Sequence, residues 1–237
     1  MDKKLKYFSI YIIIVVAVAF ACSTHNPNSS SQSMNTYQVK KSTNKPDPDW
    51  KEADVLTRFS YPWEDATPPE TSFQAMYDDD KFYFRYEVTD PHMLTYVDTN
   101  DKMEVVNSER VEIFFQVDEK LETYYCLEMD PLGRVLDYKA HFYRNMEFDW
   151  EWPANALNVN TQQTEKGYRL DGSVTLESLK NLGILKGNKM VAGLYRGHCV
   201  KLEGTNADLR WISWIDPKTP EPDFHVASSF GTMELVK

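Results

Sequence analysis

The chain has 237 residues and a formal net charge of −10, from 26 Lys and Arg against 36 Asp and Glu. That acidic balance repels phosphate backbones and argues against nucleic acid as a partner. Hydrophobic residues make up 42% and aromatics 14%, enough apolar mass for one sizeable core and too much for a disordered chain.

Lys3, Lys4 and Lys6 form a basic start, followed by an apolar run from Tyr7 to Ala21 centred on Ile12-Ile13-Ile14-Val15-Val16. The run is shorter than the roughly 20 apolar residues a spanning helix needs, and it fits the apolar region of a secretory signal. It ends in Ala19-Phe20-Ala21-Cys22, which resembles a bacterial lipobox with Ala19 where leucine is usual. The resemblance implies removal of residues 1–21 and lipidation of Cys22, giving a cell-envelope lipoprotein of the outer membrane. An ordinary signal peptide or an uncleaved anchor is the alternative. Ser23 to Asn35 is polar and lacks core-forming residues, so residues 22–35 read as the lipidated cysteine with a flexible tether, leaving one domain over residues 36–237. Export implies an oxidising compartment. Cys126 and Cys199 are there either two buried thiols or one disulfide.

The body alternates with period two. Phe73, Ala75 and Tyr77 alternate with Ser72, Gln74 and Met76. After the polar turn Asp78-Asp79-Asp80-Lys81, Phe82, Phe84, Tyr86 and Val88 alternate with Tyr83, Arg85, Glu87 and Thr89. This pattern predicts a β-hairpin. Further strands are predicted over Arg110–Val117, Thr123–Met129, Arg134–Phe142, Gly167–Val174, Met190–Leu202 and Met233–Val236. Leu176, Leu179 and Leu182 recur at helical spacing before Gly183, which predicts one short helix. Many short strands and one helix mean an all-β sandwich or barrel.

No nucleotide-binding glycine loop, G-x-S-x-G elbow or HExxH motif occurs. No two of the five histidines have helical i, i+4 spacing, so no metal and no cofactor is expected. Asp78-Asp79-Asp80 is a candidate for structural calcium, but it lacks the spaced ligands of a recognised loop and reads as a solvated turn. The acids offer many carboxylate pairs, and no motif selects one for glycoside hydrolysis. Six tryptophans and fourteen tyrosines suit sugar binding, because aromatic rings cover the apolar face of a pyranose while polar groups reach its hydroxyl rim. The competing reading is an aromatic sandwich core.

Several motifs in order resemble carbohydrate-binding module family 9. They are Trp50-Lys51-Glu52-Ala53, Phe73-Gln74-Ala75-Met76-Tyr77-Asp78-Asp79, Val88-Thr89-Asp90-Pro91, Val111-Glu112-Ile113-Phe114, Gly167-Tyr168-Arg169-Leu170, Leu194-Tyr195-Arg196, and Arg210-Trp211-Ile212-Ser213-Trp214-Ile215-Asp216-Pro217 with the following Pro222-Asp223-Phe224-His225 and Phe230-Gly231. The resemblance covers roughly residues 37–236. It implies a two-sheet antiparallel β-sandwich, jelly-roll-like, with one short helix. In sugar-binding members two tryptophans sandwich a terminal sugar. Trp214 matches one, and the position of the other, ahead of Val111, holds no tryptophan. Tyr96 and Trp150 are candidate substitutes.

The implied ligand-binding residues are therefore Trp214, Glu112, Arg196, Trp211 and Glu128, the last standing near where the family carries an arginine. Glu109 holds the place of the family's preceding aspartate. Each has a structural alternative: Trp214 in the core, Glu112 in a salt bridge to an arginine such as Arg196, and His225 as a turn cap. The implied function is non-catalytic binding of a polysaccharide or oligosaccharide such as xylan, alongside a glycan-degrading enzyme partner. A hydrolase on the same sandwich, or an envelope interaction protein that has lost sugar binding, are the alternatives.

Overall fold

The computed structural model describes residues 35–44 and 47–237. The expected leader, the lipidation of Cys22 and nearly all of the tether lie outside the described residues. Twelve strands form among those described: β1 (Thr36–Lys41), β2 (Thr71–Tyr77), β3 (Lys81–Thr89), β4 (Arg110–Gln116), β5 (Tyr124–Met129), β6 (Val135–His141), β7 (Asn145–Glu147), β8 (Leu157–Gln163), β9 (Gly167–Thr175), β10 (Lys189–Glu203), β11 (Asn206–Ser213) and β12 (Gly231–Val236). One helix, α1 (Leu176–Asn181), follows β9. Its N-cap is Thr175, whose hydroxyl accepts from the Ser178 N–H. Leu176 and Leu179 are buried against the core.

The strands form one hydrogen-bonded sheet in the order β7-β6-β5-β4-β10-β12-β1-β2-β3-β9-β8, with β11 paired to β10. The expected all-β architecture with one short helix is present, but its connectivity differs from two separate antiparallel sheets. β1 runs parallel to both neighbours, pairing Tyr37 with Met233 of β12 and Lys40 with Met76 of β2. This strand joins the two halves, so the sheet is mixed and strongly curled.

The halves face each other across the main core. Phe73, Phe82, Phe84, Tyr86 and Leu170 from the β2-β3-β9 side meet Val111, Ile113, Phe115, Leu127 and Leu194 from the β4-β5-β10 side. Each such burial contributes roughly 1.5–3 kcal/mol before chain entropy is counted. Every residue of β4 is buried, because its other face carries a second cluster with Phe114, Tyr124, Cys126, Tyr138, Tyr195, Phe224 and Phe230. Cys126 and Cys199 are both free and buried, so they do not pair. Asp78 spends its carboxylate on the hairpin turn, accepting from the N–H groups of Asp80 (2.7 Å) and Lys81 (2.8 Å) and from the Tyr83 hydroxyl (3.1 Å).

Candidate functional site

Alternation along β4 sends Val111, Ile113 and Phe115 to the main core and Arg110, Glu112 and Phe114 to the opposite face. Glu112 stands directly across from Glu128 on β5. Like charges so placed repel, and Arg110 answers both. Its Nε lies 2.9 Å from Glu112 Oε1 and 2.6 Å from Glu128 Oε2. Its Nη1 donates to the carbonyls of Val106 (3.0 Å) and Ser108 (3.3 Å). Glu128 Oε1 accepts from the Tyr138 hydroxyl at 2.8 Å. Glu128 Oε2 has the charge contact alone, without hydrogen-bond geometry, so it retains acceptor capacity. With one cation for two buried acids, burial and the neighbouring Glu128 charge hold the Glu112 carboxyl well above the usual range, against the opposing pull of Arg110. Repulsion between the two carboxyls favours keeping a proton at Glu112.

The cleft over this pair encloses about 230 Å³. Trp211 on β11 forms one wall. The Arg110 guanidinium lies 5.2 Å from its ring centroid, and Phe224 meets it edge-on at 5.7 Å. Gly197 on β10 permits this stack, since a Cβ there would lie 3.2 Å from Arg110 Nη1 and 3.3 Å from the Trp211 ring. The segment from Pro222 to His225 forms another wall. The His225 N–H donates to Asp223 Oδ1 at 2.9 Å, so the side chain that caps this turn is Asp223 and not His225, whose ring Nδ1 lies 2.9 Å from the Tyr124 hydroxyl. Burial depresses the His225 pKa to about 4, so its imidazole is neutral at physiological pH.

Arg144, in the turn between β6 and β7, also lines the cleft, its Nε 3.5 Å from Asp223 Oδ1. Tyr143 donates its hydroxyl to Asp223 Oδ2 at 2.7 Å. Phe142 and Tyr143 are 59% and 55% exposed. The turn thus sets open aromatic surface beside the cleft. Rings of this kind and a donor–acceptor floor are what a pyranose needs.

Three of the residues singled out in the sequence meet here: Trp211, Glu112 and Glu128. Two do not. Arg196 has the core-facing parity of Leu194 and is fully buried at the rim of the main core. Its Nε donates to Glu109 Oε1 (2.6 Å), Nη2 to Asp90 Oδ2 (3.1 Å) and Nη1 to Thr71 Oγ1 (3.2 Å). The salt bridge considered for Glu112 with Arg196 is made instead with Arg110, and Arg196 takes Glu109.

Trp214 is 6% exposed and belongs to the main core. Its backbone N–H donates to Leu194 O at 3.0 Å. Its indole packs over Gly231, where a Cβ would come within 2.5 Å of the ring. A ring so placed cannot lie against a sugar in this conformation. Tyr96 and Trp150 do not line the cleft. Trp150 packs on Tyr125 at 4.9 Å, and the Tyr96 carbonyl accepts from Arg134 Nη2 at 2.6 Å.

Arg110, Arg144, Tyr143 and Asp223 were not anticipated. Arg110 had a readable signal, since it precedes Glu112 by two residues and so shares its strand face. Asp90, Glu109 and His198 bring one ligand-type atom each within 4.8 Å of one another, yet the cation between the two acids is the Arg196 guanidinium. Burial pushes the Glu109 pKa up to about 7, against the opposing charge of Arg196.

A family model described as carbohydrate family 9 binding domain-like matches residues 43–237. No curated protein matches the chain. Among solved structures, a Bacteroides uniformis protein designated carbohydrate-binding superposes with a TM-score of 0.65 at 16% identity, covering 85% of this chain and 99% of that one. A family 9 carbohydrate-binding module from Caldicellulosiruptor kristjanssonii, in complex with cellotriose, gives 0.53 at 15% identity, with 84% and 93% covered. Its glucose complex gives 0.50 at 17% identity, with 84% and 95% covered.

Proposed function

Because the chain belongs to the carbohydrate family 9 binding domain-like family, we propose that it is a non-catalytic module whose cleft at Trp211 binds a neutral oligosaccharide. The observation that carries this reading is the side-by-side placement of Trp211, Arg110 and the Glu112–Glu128 pair around a 230 Å³ cleft. A sugar ring would lie against aromatic surface while its hydroxyls meet a guanidinium and the paired carboxyl groups of Glu112 and Glu128. Tyr143 takes the part of the absent second tryptophan. The cellotriose and glucose complexes of the similarly folded module support a gluco-oligosaccharide as the first ligand to test.

The same geometry speaks against hydrolysis at this pair. A retaining glycosidase sets its two carboxyl groups about 5–5.5 Å apart across the scissile bond. Here Glu112 and Glu128 are bridged by one guanidinium, which fills the gap a glycosidic oxygen would need.

The basic start, apolar run and Cys22 support lipid anchoring at the cell envelope beside a glycan-degrading enzyme. Metabolic labelling with a palmitate analogue tests the anchor, and absence of label on the protein would refute it. For the cleft, intrinsic fluorescence titration with glucose, cellotriose, xylotriose and other oligosaccharides is the test. Saturable quenching by at least one sugar is expected, weakened about tenfold in Tyr143→Ala, which equals roughly 1.4 kcal/mol. Tyr143 is exposed, so that variant leaves the fold intact. No response to any sugar would overturn the reading.

A further inference from the structure

β3 has two faces. Phe82, Phe84 and Tyr86 enter the main core, so Tyr83 and Arg85 point to the other side of the β3-β9-β8 half, away from that core. There a second groove of about 350 Å³ is lined by Trp50, Tyr83, Arg85, Asn158, Asn160 and Asp171, among others. That volume falls within the range of ligand clefts, about 300–1,000 Å³.

Cross-strand register builds the floor as two ladders. Tyr83 pairs with Ser173, which pairs with Asn158; Arg85 pairs with Asp171, which pairs with Asn160. Arg85 donates from Nε to Asp171 Oδ1 (2.6 Å) and from Nη2 to Asp171 Oδ2 (3.1 Å). Its guanidinium supports the half-buried Trp50 indole at 4.4 Å from the ring centroid. The Trp50 carbonyl is tied to Gln74 Nε2 at 2.8 Å. The indole is therefore held in place from its cationic side and from its own backbone.

Two features select the ligand class. The groove's guanidinium is neutralised by Asp171 and its remaining charges, Lys81 and Asp47, offset one another, so it has no surplus charge for an anion or a cation. The Asn158 and Asn160 amides are exposed on edge strand β8 and spend no hydrogen bond on any described residue. Each offers donors and an acceptor, and on one strand face they lie about 7 Å apart. Such amides fit successive hydroxyl groups of a neutral sugar chain, and the braced indole fits its apolar face.

We infer that this groove is a second glycan-binding surface, on the far side of the core from the Trp211 cleft. It shares with the proposed function only the ligand class and does not need that cleft to bind. Two such surfaces on one domain would let it hold a polymer at two points, raising avidity without further contacts.

The six tryptophans give separately assignable indole N–H resonances. Titration with cellohexaose and xylohexaose, observed by nitrogen-15 NMR, is expected to shift the Trp50 indole saturably with at least one of them. The shift should persist in Trp211→Ala and weaken at least tenfold in the double variant Asn158→Ala, Asn160→Ala. No Trp50 shift with either hexasaccharide, or one unchanged in the double variant, would overturn the inference. A shift at Trp211 alone would leave only the cleft, and a shift at Trp50 alone would leave only this groove.

Discussion

Replacing Arg196 with alanine is expected to remove about 3–5 kcal/mol of folding stability, the loss that follows when one partner of a buried ion pair is deleted. Glu109 has no exposed side-chain surface and Asp90 only 5%, so the variant would keep two acids in the rim of the core with no guanidinium between them. Against a typical domain stability of roughly 5–15 kcal/mol, that loss is readily seen as a lowered urea midpoint.

The same cluster gives the loss a pH dependence. Glu109 has its folded pKa raised from 4.5 to about 7, so the folded state holds a proton that the unfolded state releases between those values. Its contribution favours folding most below about pH 4.5 and is lost as pH rises through about 7. Deleting Arg196 removes a charge that lowers this pKa, which extends the loss above pH 7. His198 faces the same acids, with Nε2 3.6 Å from Asp90 Oδ2, and burial and Arg196 both depress its pKa. Without Arg196 it protonates more readily and supplies a substitute cation in acid. The stability difference between wild type and Arg196→Ala should therefore be largest at pH 8 and smaller at pH 5. Equal differences at both would contradict the placement of Glu109 against Arg196.

Trp214→Ala is expected to cost about 3–5 kcal/mol as well, by leaving a cavity where an indole filled the main core. For a chain of this size that is a fall in Tm of roughly 10 °C. Trp214→Phe refills most of the space and should lose much less. Its sugar affinity should match wild type, because the ring does not line the cleft. A Trp214→Phe variant with normal stability and no sugar binding would overturn that assignment.

What the sequence made legible was local. The β2–β3 hairpin, β4, β5 and α1 follow from alternation and leucine spacing carried within each segment, together with the polar turn at Asp78–Lys81. The closure of the sheet was not legible. β1 carries only Tyr37 and Val39 as buried apolar residues, and its partner β12 lies near the other end of the chain. Nothing within six residues signals a parallel pairing at that distance.

The site divides in the same way. Spacing of three suggests Trp211 and Trp214 on opposite faces of a strand, but β11 ends at Ser213. Trp214 lies just past it and packs in the main core while Trp211 packs on the second cluster, and spacing does not say which ring is open. That depends on Gly231, whose missing side chain admits the Trp214 ring, and on Gly197, which lets Arg110 lie over Trp211. Arg196 shares the parity of the core residue Leu194, so its burial was readable from alternation. A charged side chain in that position needed Asp90 and Glu109 from distant segments, and only the fold brings those together. Glu128 stands near where an arginine was expected, and Arg110 of the neighbouring strand supplies the guanidinium beside it.

Calorimetric titration of cellotriose into wild type, Trp211→Ala and Trp214→Phe tests whether the Trp211 cleft is the sugar site. Wild type and Trp214→Phe should bind alike, while Trp211→Ala should bind roughly thirtyfold more weakly, a loss of about 2 kcal/mol for an anchoring aromatic. Unchanged affinity in Trp211→Ala would contradict the assignment of this cleft as the sugar site.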